Sequence, residues 1–413
     1  MKVLWFEVTI PQNYVQHGFH GGGWQDSLEY IIKSKSDIEL GVAFETSNSS
    51  HMSKSIDGVQ YFPLKPKYTF WERVQNRFTM DVSRRRLLAQ ALDVIAKFKP
   101  DVIHVFGSEW CYGQVVEFID TPVVIHMQGS IPPYNNAFYP PGYSRWDEVI
   151  INLKKFKYKN VLKLPAVWNK RNSWKKQEER TLGLVKNYMG RTNWDRSIVN
   201  SYQPDALYFY CNEALRPSFI NSTLYWKPTD RQKIRLITVG CSSLWKGLDT
   251  IVRTAKMLIK RDVDFEWYLV GKIANKELIE WKESVKMENI KIKILGMIGA
   301  ESLIKHLCDS DIYIHTAYID NSPNSICEAQ YLGLPIIATY VGGIPSLIEN
   351  QVDGSLIPAN DPFSLSDEII KLSKSNERKL IYSENSKKKA KSRHNPDNIL
   401  NDLISIYNRL ETN

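Results

Sequence analysis

One stretch in the second half of the chain constrains the fold most, because it encodes a strand, a helix and a second strand in succession. Residues 311–317, DIYIHTA, and residues 335–341, PIIATYV, are β-rich runs. Between them, residues 321–323 (NSP) form a helix-start signal and Gly333 a helix stop. In such a unit the ligand lies beyond the carboxyl ends of the strands, where the N–H groups of the helix's first turn favour an anion. Phosphate is the expected anion.

The same alternation of β-rich and helical patterns runs along the whole chain and predicts open parallel sheets. At 413 residues the chain exceeds the size at which one core stays compact, so two domains are expected. We predict a first domain over 1–220 with a basic helical insert over 150–180. A second domain is predicted over 221–395, followed by a last helix over 396–413. Residues 216–232, with two prolines and several polar side chains, are predicted to link the domains.

Two motifs in the second half resemble the donor site of retaining GT-B glycosyltransferases of family 4. The first is Asp320, seven residues, then Glu328 followed by alanine, with Gly-Gly-x-Pro further on. The second is a strand, a short loop and the pair Lys246 and Gly247. The resemblance implies an α/β protein of two Rossmann-like, doubly wound parallel-sheet domains that face a cleft, with the C-terminal helix crossing back to the first domain.

The resemblance also implies a role for each residue. Glu328 would hold the ribose hydroxyls, Asp320 would face the transferred sugar, and Lys246 would bind the diphosphate. Four residues would offer backbone N–H groups to that diphosphate: Asn324, Ser325, Ile326 and Cys327. The family carries an arginine where this chain has Cys241. Its contact to the diphosphate must be replaced here by Ser242, Ser243, backbone amides or a basic residue from elsewhere.

The activity that the resemblance implies is a retaining, metal-independent hexosyl transfer. The donor would be a UDP- or GDP-sugar and the acceptor a lipid-linked glycan, within bacterial surface polysaccharide synthesis; no cofactor is expected. The departures at Cys241 and Asp320 motivate an alternative, a catalytically weakened member that binds nucleotide sugar or a membrane partner without turnover. A Rossmann dehydrogenase is disfavoured, because no first strand is followed by Gly-x-Gly-x-x-Gly with a later acidic residue.

Glycines near the amino terminus offer a further donor contact. Gly21, Gly22 and Gly23 precede a helix predicted from Trp24, and the missing side chains permit close approach of the backbone to a ligand. The resemblance places a Gly-Gly loop over the cleft at this point, so we expect Gly22 and Gly23 to contact the donor. A plain surface loop is the alternative.

Polar residues end two predicted strands of the first domain. His126 and Gln128 end one strand, and His104 with Glu109 follows another. We expect His126 to orient the acceptor or relay a proton, and the other three to line the acceptor side. A core histidine with satisfied hydrogen bonds is the alternative for His126.

Two Asp-x-Asp triplets, at 262–264 and 309–311, invite comparison with metal-dependent transferases. Each lies between a helix and the start of a strand, which is the edge of the sheet opposite the ligand. We therefore predict no metal site at either triplet.

The positive charge is concentrated in one segment. Residues 151–177 contain nine Lys or Arg and no Asp or Glu, interleaved with Phe156, Trp168 and Trp174. This composition is expected at an anionic membrane surface. A solvated basic helix face is the alternative. No nucleic-acid-binding signature accompanies the segment, so nucleic acid is not expected as a partner.

Cysteine usage and hydropathy indicate the compartment. Five scattered cysteines with no Cys-x-x-Cys pair argue against a disulfide framework or zinc site and favour a reducing cytosol. The amino terminus lacks a long apolar segment, and no run of about 18 apolar residues occurs. We expect a cytoplasmic protein that associates peripherally with the inner face of the cell membrane.

Overall fold

The computed structural model describes residues 1–15 and 23–412, and these form two compact units. Unit 1 comprises the described residues within 1–135, 162–214 and 395–413. Unit 2 comprises 136–161 and 215–394. Each unit has a parallel sheet with helices packed against it.

The elements are numbered along the chain. The strands are β1 (Lys2–Glu7), β2 (Glu39–Glu45), β3 (Lys54–Ile56), β4 (Val59–Leu64), β5 (Val102–Phe106), β6 (Val123–His126), β7 (Asn187–Gly190), β8 (Leu207–Tyr210), β9 (Ile234–Val239), β10 (Phe265–Val270), β11 (Ile292–Gly296), β12 (Ile312–His315), β13 (Ile336–Thr339) and β14 (Ser355–Ile357). The helices are α1 (Gln12–Val15), α2 (Trp24–Lys35), α3 (Phe70–Gln75), α4 (Asp81–Phe98), α5 (Ile131–Asn136), α6 (Arg145–Lys154), α7 (Tyr158–Leu184), α8 (Asn193–Tyr202), α9 (Pro217–Ile220), α10 (Leu248–Lys260), α11 (Lys276–Lys282), α12 (Ala300–Cys308), α13 (Asn324–Leu332), α14 (Ile344–Leu347), α15 (Pro362–Ser373), α16 (Asn376–Arg393) and α17 (Pro396–Glu411).

The strand order is that of doubly wound folds. The sheet of unit 1 runs β3-β4-β2-β1-β5-β6-β7-β8, and its pairs are parallel apart from the hairpin of β3 with β4. The sheet of unit 2 runs β11-β10-β9-β12-β13-β14 with parallel pairs. Chain order reverses between β9 and β12, and ligands of doubly wound sheets bind at such a reversal. The predicted fold class is confirmed.

Apolar runs explain why these strands lie in the interior. β1 buries five of its six residues, and β5 and β6 bury all of theirs, as expected where helices cover both faces of a parallel sheet. The short strands β3 and β14 were not predicted, since three residues carry little periodic signal.

The C-terminal helix α17 belongs to unit 1, as its amphipathic pattern and the resemblance predicted. Its apolar face, including Leu403 and Ile406, is buried in the same core as β1. The hydroxyl of Tyr407 lies 3.0 Å from the indole nitrogen of Trp5 and 2.7 Å from Nδ1 of His104. A segment remote in sequence thus completes the core of the first unit.

Two segments are organised differently from the prediction. Residues 136–161, including the start of the predicted basic insert, belong to unit 2, where Ile151 joins the core and Asp147 pairs with Lys282 at 2.6 Å. The predicted linker 216–232 is not a free linker, because it packs within unit 2. There Trp226 is buried and donates to the carbonyl of Ser310 at 2.8 Å.

Within residues 1–15 and 23–412, no helix combines the length and the apolar character needed to cross a bilayer.

Candidate functional site

The loops that follow β9 and β12 meet at the reversal point of the unit 2 sheet. Lys246 lies on the first loop and Asp320 on the second, and the Nζ of Lys246 lies 2.6 Å from Oδ2 of Asp320. The two strands are direct neighbours, with Leu236 opposite Ile312. The structure therefore brings together two residues that the sequence placed 74 positions apart.

Asp320 is held in its ionised form. Its carboxylate is nearly enclosed, and burial alone would favour the neutral acid. The charge of Lys246 and a hydrogen bond from His315, at 3.0 Å, hold the pKa of Asp320 well below its usual range. Oδ1 also accepts from the backbone N–H of Asn321 at 3.1 Å. The site thus contains a fixed negative charge with cationic support.

Glycines allow the surrounding loops to approach this closely. A Cβ on Gly342, where φ is +52°, would lie 1.9 Å from the carbonyl oxygen of Asp320. A Cβ on Gly247, where φ is +75°, would lie 1.9 Å from the carbonyl oxygen of Thr316. The N–H of Gly343 donates to the Asp320 carbonyl at 2.9 Å. Both glycines serve two requirements at once, a left-handed backbone and the absence of a side chain.

Glu328 lies on α13 and is paired with an arginine that precedes α9. Nε and Nη2 of Arg216 both lie 2.8 Å from Oε1 of Glu328. Burial raises the pKa of Glu328 to about 7, although Arg216 opposes the shift. Glu328 is only 5% exposed, whereas its partner is more accessible. This carboxylate therefore titrates near neutral pH.

The first turn of α13 offers two N–H groups rather than four. The N–H groups of Ile326 and Cys327 both donate to the carbonyl of Pro323, and their side chains are buried in the core. Among the described residues, the N–H groups of Asn324 and Ser325 have no backbone partner. An anion at this helix start would be bound by those two groups and by the helix dipole.

The loop after β9 lacks a side-chain cation at its beginning. Cys241 packs into the hydrophobic core of unit 2, and burial raises the pKa of its thiol to about 12, so it is an inert apolar residue here. Ser242 is exposed on the same loop. The positive charge of this loop is supplied by Lys246.

Two histidines predicted at the edge of the unit 1 sheet lie inside its core. His126 is fully enclosed, its Nε2 lies 3.2 Å from the carbonyl oxygen of Cys211, and burial lowers its pKa to about 3. His104 is also fully enclosed beneath Tyr407, and burial lowers its pKa. Neutral, enclosed rings cannot exchange a proton with an acceptor in this structure, which favours the core role for both.

Glu109 and Gln128 do lie together at the carboxyl edge of the unit 1 sheet. The carboxylate of Glu109 lies beside Gly107 and Gly129, where an added Cβ would meet its oxygens at 2.3 and 3.1 Å respectively. Gln128 directly precedes Gly129 on the loop after β6. The structure thus brings these two predicted acceptor-side residues close to one another.

Sequence reasoning missed Glu178, which approaches the same edge from α7. Glu178 is fully enclosed, accepting from the hydroxyl of Ser108 at 2.7 Å and from the N–H of Ile131 at 2.6 Å. Burial raises the pKa of both Glu178 and Glu109; the charge of Glu109 adds to the rise for Glu178, and the charge of Asp195 adds to that for Glu109. No local motif marked Glu178, because it is one charge within a long charged helix.

This buried pair predicts a pH-dependent stability. A carboxyl whose pKa is raised in the folded state binds a proton that the unfolded chain releases, so its stabilisation is full at low pH and is lost as pH rises. Glu178→Gln should therefore raise the melting temperature at pH 8 and change it little at pH 5, with about 1 kcal/mol corresponding to roughly 2–4 °C. Differential scanning calorimetry checks this, with the half-exposed Glu179→Gln as control. Equal shifts of the two variants at pH 8 would contradict it.

The remaining predictions concern glycines and the Asp-x-Asp triplets. Gly22 lies outside the described residues, whereas Gly23 immediately precedes α2 as its N-cap.

Asp309 is ion-paired with Arg231 and Arg235, and the other carboxylates of the two triplets lie just before β10 and β12. Asp264 of the other triplet lies 3.3 Å from the Nζ of Lys291, so protein cations engage one carboxylate of each triplet.

Comparison with known proteins gives the family of unit 2. A family model described as glycosyl transferases group 1 matches residues 233–375. An uncharacterized glycosyltransferase of Methanocaldococcus jannaschii, MJ1069, is 28% identical over 182 residues, which is 44% of this chain and 46% of that protein. The amylovoran biosynthesis glycosyltransferase AmsK of Erwinia amylovora is 25% identical over 150 residues, covering 34% and 36%. The matches therefore span less than half the length of these relatives.

Solved structures with low sequence identity to this chain share its fold along its whole length. The crystal structure of Anabaena Alr3699/HepE in complex with UDP-glucose superposes over 100% of both chains, with a TM-score of 0.65 and 13% identity. At that identity the likeness shows the fold alone. The chain therefore has the GT-B fold, and its second unit belongs to the group 1 glycosyltransferases.

Proposed function

We propose that the protein is a retaining, metal-independent glycosyltransferase that moves a hexose from a UDP- or GDP-sugar to a glycan acceptor carried on a lipid. One observation carries the proposal, the convergence of Lys246, Asp320, Glu328 and the free N–H groups of α13 at the reversal point of one sheet. Its relative AmsK acts in amylovoran biosynthesis, which supports a place in bacterial surface polysaccharide synthesis.

Each group then has a defined task toward the donor. Glu328 accepts hydrogen bonds from the ribose hydroxyls, and the N–H groups of Asn324 and Ser325 bind the diphosphate. Asp320 contacts hydroxyls of the sugar. Lys246 stabilises the negative charge that develops on the diphosphate as its bond to the anomeric carbon breaks, which is the kind of contribution that dominates many enzymatic rate enhancements. The acceptor oxygen forms the new bond to the anomeric carbon, and its proton passes to the departing diphosphate.

A ligand screen tests the proposal directly. Thermal unfolding with UDP-, GDP- and ADP-sugars should show stabilisation by one class, because a ligand bound to the folded state raises stability with its saturation. Inorganic phosphate at equal concentration is the control for simple anion binding. Stabilisation by phosphate alone, with none by a nucleotide sugar, would refute the proposal.

The pKa of Glu328 predicts how donor binding depends on pH. If the ionised carboxylate binds the ribose, a pKa of about 7 means that affinity for the nucleotide sugar rises about tenfold between pH 6 and pH 8. The diphosphate of a nucleotide sugar is esterified at both ends and keeps its charge over this range. Isothermal titration at several pH values measures how donor affinity depends on pH, and Glu328→Gln should remove this dependence. A dependence that persists in this variant would place the titrating group elsewhere.

A weakened, non-catalytic member is the second candidate, favoured by the burial of Cys241 where the resemblance places an arginine. It would bind the nucleotide sugar yet neither transfer nor hydrolyse the sugar. Release of nucleoside diphosphate, measured with and without a membrane extract as acceptor source, separates the two candidates.

Membrane association is proposed from the basic segment and its surroundings. Trp146 is 74% and Phe156 is 78% exposed, so large apolar side chains accompany the lysines at the surface of unit 2. Lys154 lies over the ring of Trp281, and Lys157 is paired with Glu277 at 2.7 Å. Those two lysines have roles within the protein, which leaves others, such as Lys155, for a lipid headgroup.

Binding to anionic vesicles tests this surface. Replacing Lys155, Lys159 and Lys163 with glutamine should reduce co-sedimentation at low salt, since each cation near such a surface contributes about 1 kcal/mol. Donor binding should not change. Replacing the exposed Lys374, Lys388 and Lys391 elsewhere in unit 2 with glutamine is the matched control. Equal vesicle binding by the first variant and wild type would mean that the basic segment is only a solvated helix face.

A further inference from the structure

His315 ends β12 and occupies a part of the donor site that the motifs did not mark. It lies beside Asp320, and its Nε2 is 3.0 Å from the same oxygen, Oδ2, that Lys246 contacts at 2.6 Å. The ring is 3% exposed and lies parallel to that of Tyr313. A histidine therefore stands at the end of a buried strand, beside the charged group of the site.

The two ring nitrogens of His315 have different surroundings. Because the carboxylate accepts, Nε2 carries the hydrogen and donates to Asp320. Burial lowers the pKa of His315, so the ring is neutral and Nδ1 has a free lone pair. Among the described residues Nδ1 has no hydrogen-bond partner, yet it is not enclosed, in contrast to Nδ1 of His126. It is an acceptor that faces accessible space.

The acceptor capacity of Asp320 is already largely used. Oδ2 accepts from both Lys246 and His315, and Oδ1 accepts from the N–H of Asn321. Each carboxylate oxygen accepts about two hydrogen bonds, so Asp320 retains room for roughly one more, at Oδ1. A sugar that presents two hydroxyls to this region requires a second acceptor, and Nδ1 of His315 is placed to supply it.

We propose that His315 contacts the transferred sugar: it fixes Asp320 through Nε2 and accepts a hydrogen bond from a sugar hydroxyl through Nδ1. This inference rests on the proposed function, because it assigns the sugar portion of the same donor. The site then selects sugars with a hydroxyl at that position. A sugar that lacks this hydroxyl would leave Nδ1 unpaired once water is excluded, and such a loss weakens binding.

A comparison of two ligands isolates this contact. His315→Gln keeps an amide that can reach Asp320 in place of Nε2 but removes the acceptor at Nδ1. The variant should bind the free nucleoside diphosphate within about twofold of wild type, and bind the nucleotide sugar about fivefold to tenfold more weakly, as expected for one hydrogen bond. Isothermal titration measures both affinities. His306→Gln, on α12 of the same unit, is the control variant.

A set of nucleotide sugars with single hydroxyls removed completes the test on wild-type protein. In wild type, one deoxy sugar should bind more weakly than the parent sugar by the same factor. In His315→Gln it should bind as tightly as the parent sugar, because both changes remove the same hydrogen bond. Two results would overturn this inference while leaving the proposed function intact. One is an equal loss of affinity for the nucleotide and the nucleotide sugar in the variant. The other is that removing the sugar hydroxyl weakens binding equally in variant and wild type. If His315→Gln does not fold, the deoxy-sugar series on wild-type protein decides alone, and the inference fails if every deoxy sugar binds as tightly as the parent sugar. Wild-type protein that binds no nucleotide sugar would overturn the proposed function as well.

Discussion

Replacing Lys246 with alanine is expected to lower sugar transfer about 100- to 1000-fold, the effect of removing one preorganised group that stabilises transition-state charge. The residue also supports the fold, since its Nζ lies 2.6 Å from the nearly enclosed Asp320 carboxylate. Removing one partner of such a pair leaves a buried charge uncompensated, so the single variant should also lose stability, by up to about 3–5 kcal/mol for a fully buried pair.

A second substitution separates these two effects. Lys246→Ala combined with Asp320→Asn removes the buried charge together with its cation, so chemical denaturation should show that stability recovers. Transfer should remain low, because neither group is restored. Recovery of transfer together with stability would mean that Lys246 acts only through the fold.

Gly342→Ala is expected to disrupt the site although it adds a single methyl group. Its Cβ would lie 1.9 Å from the carbonyl oxygen of Asp320, and φ is +52°, so left-handed strain and steric overlap combine. The strain alone costs about 1–3 kcal/mol. The overlap displaces the backbone that positions Asp320, so affinity for the nucleotide sugar should fall at least about tenfold.

Gly296→Ala is the matched control, because Gly296 also has a positive φ, +71°, but no atom lies within 4 Å of its added Cβ. It should cost stability through backbone strain and leave donor affinity unchanged. Denaturation curves and titrations of both variants separate strain from steric overlap. Equal loss of donor affinity in the two would show that the close approach at Gly342 is unimportant.

The sequence by itself determined five of the six strands in the sheet of unit 2 and the edge at which its loops meet. Apolar runs such as 265–270 are local signals of buried strands, and Gly333 is a local signal of a helix end, confirmed where its φ is +79°. The carboxyl ends of parallel strands lie at one edge of a sheet. The loops that carry Lys246 and Asp320 could therefore be placed at that edge before any coordinates were known.

Only the tertiary structure decided which partners these residues have. Arg216 reaches Glu328 from a segment predicted to be a linker, and His315 supports Asp320 from the end of a strand. His126 and His104 were predicted at a sheet edge, yet neighbouring rings and α17 enclose them. Hydrogen-bond partners and burial depend on segments far apart in the chain, and no local pattern of residues encodes them. Strand and helix signals are local, whereas the protonation state of a side chain is set by the desolvation and charges that surround it in three dimensions.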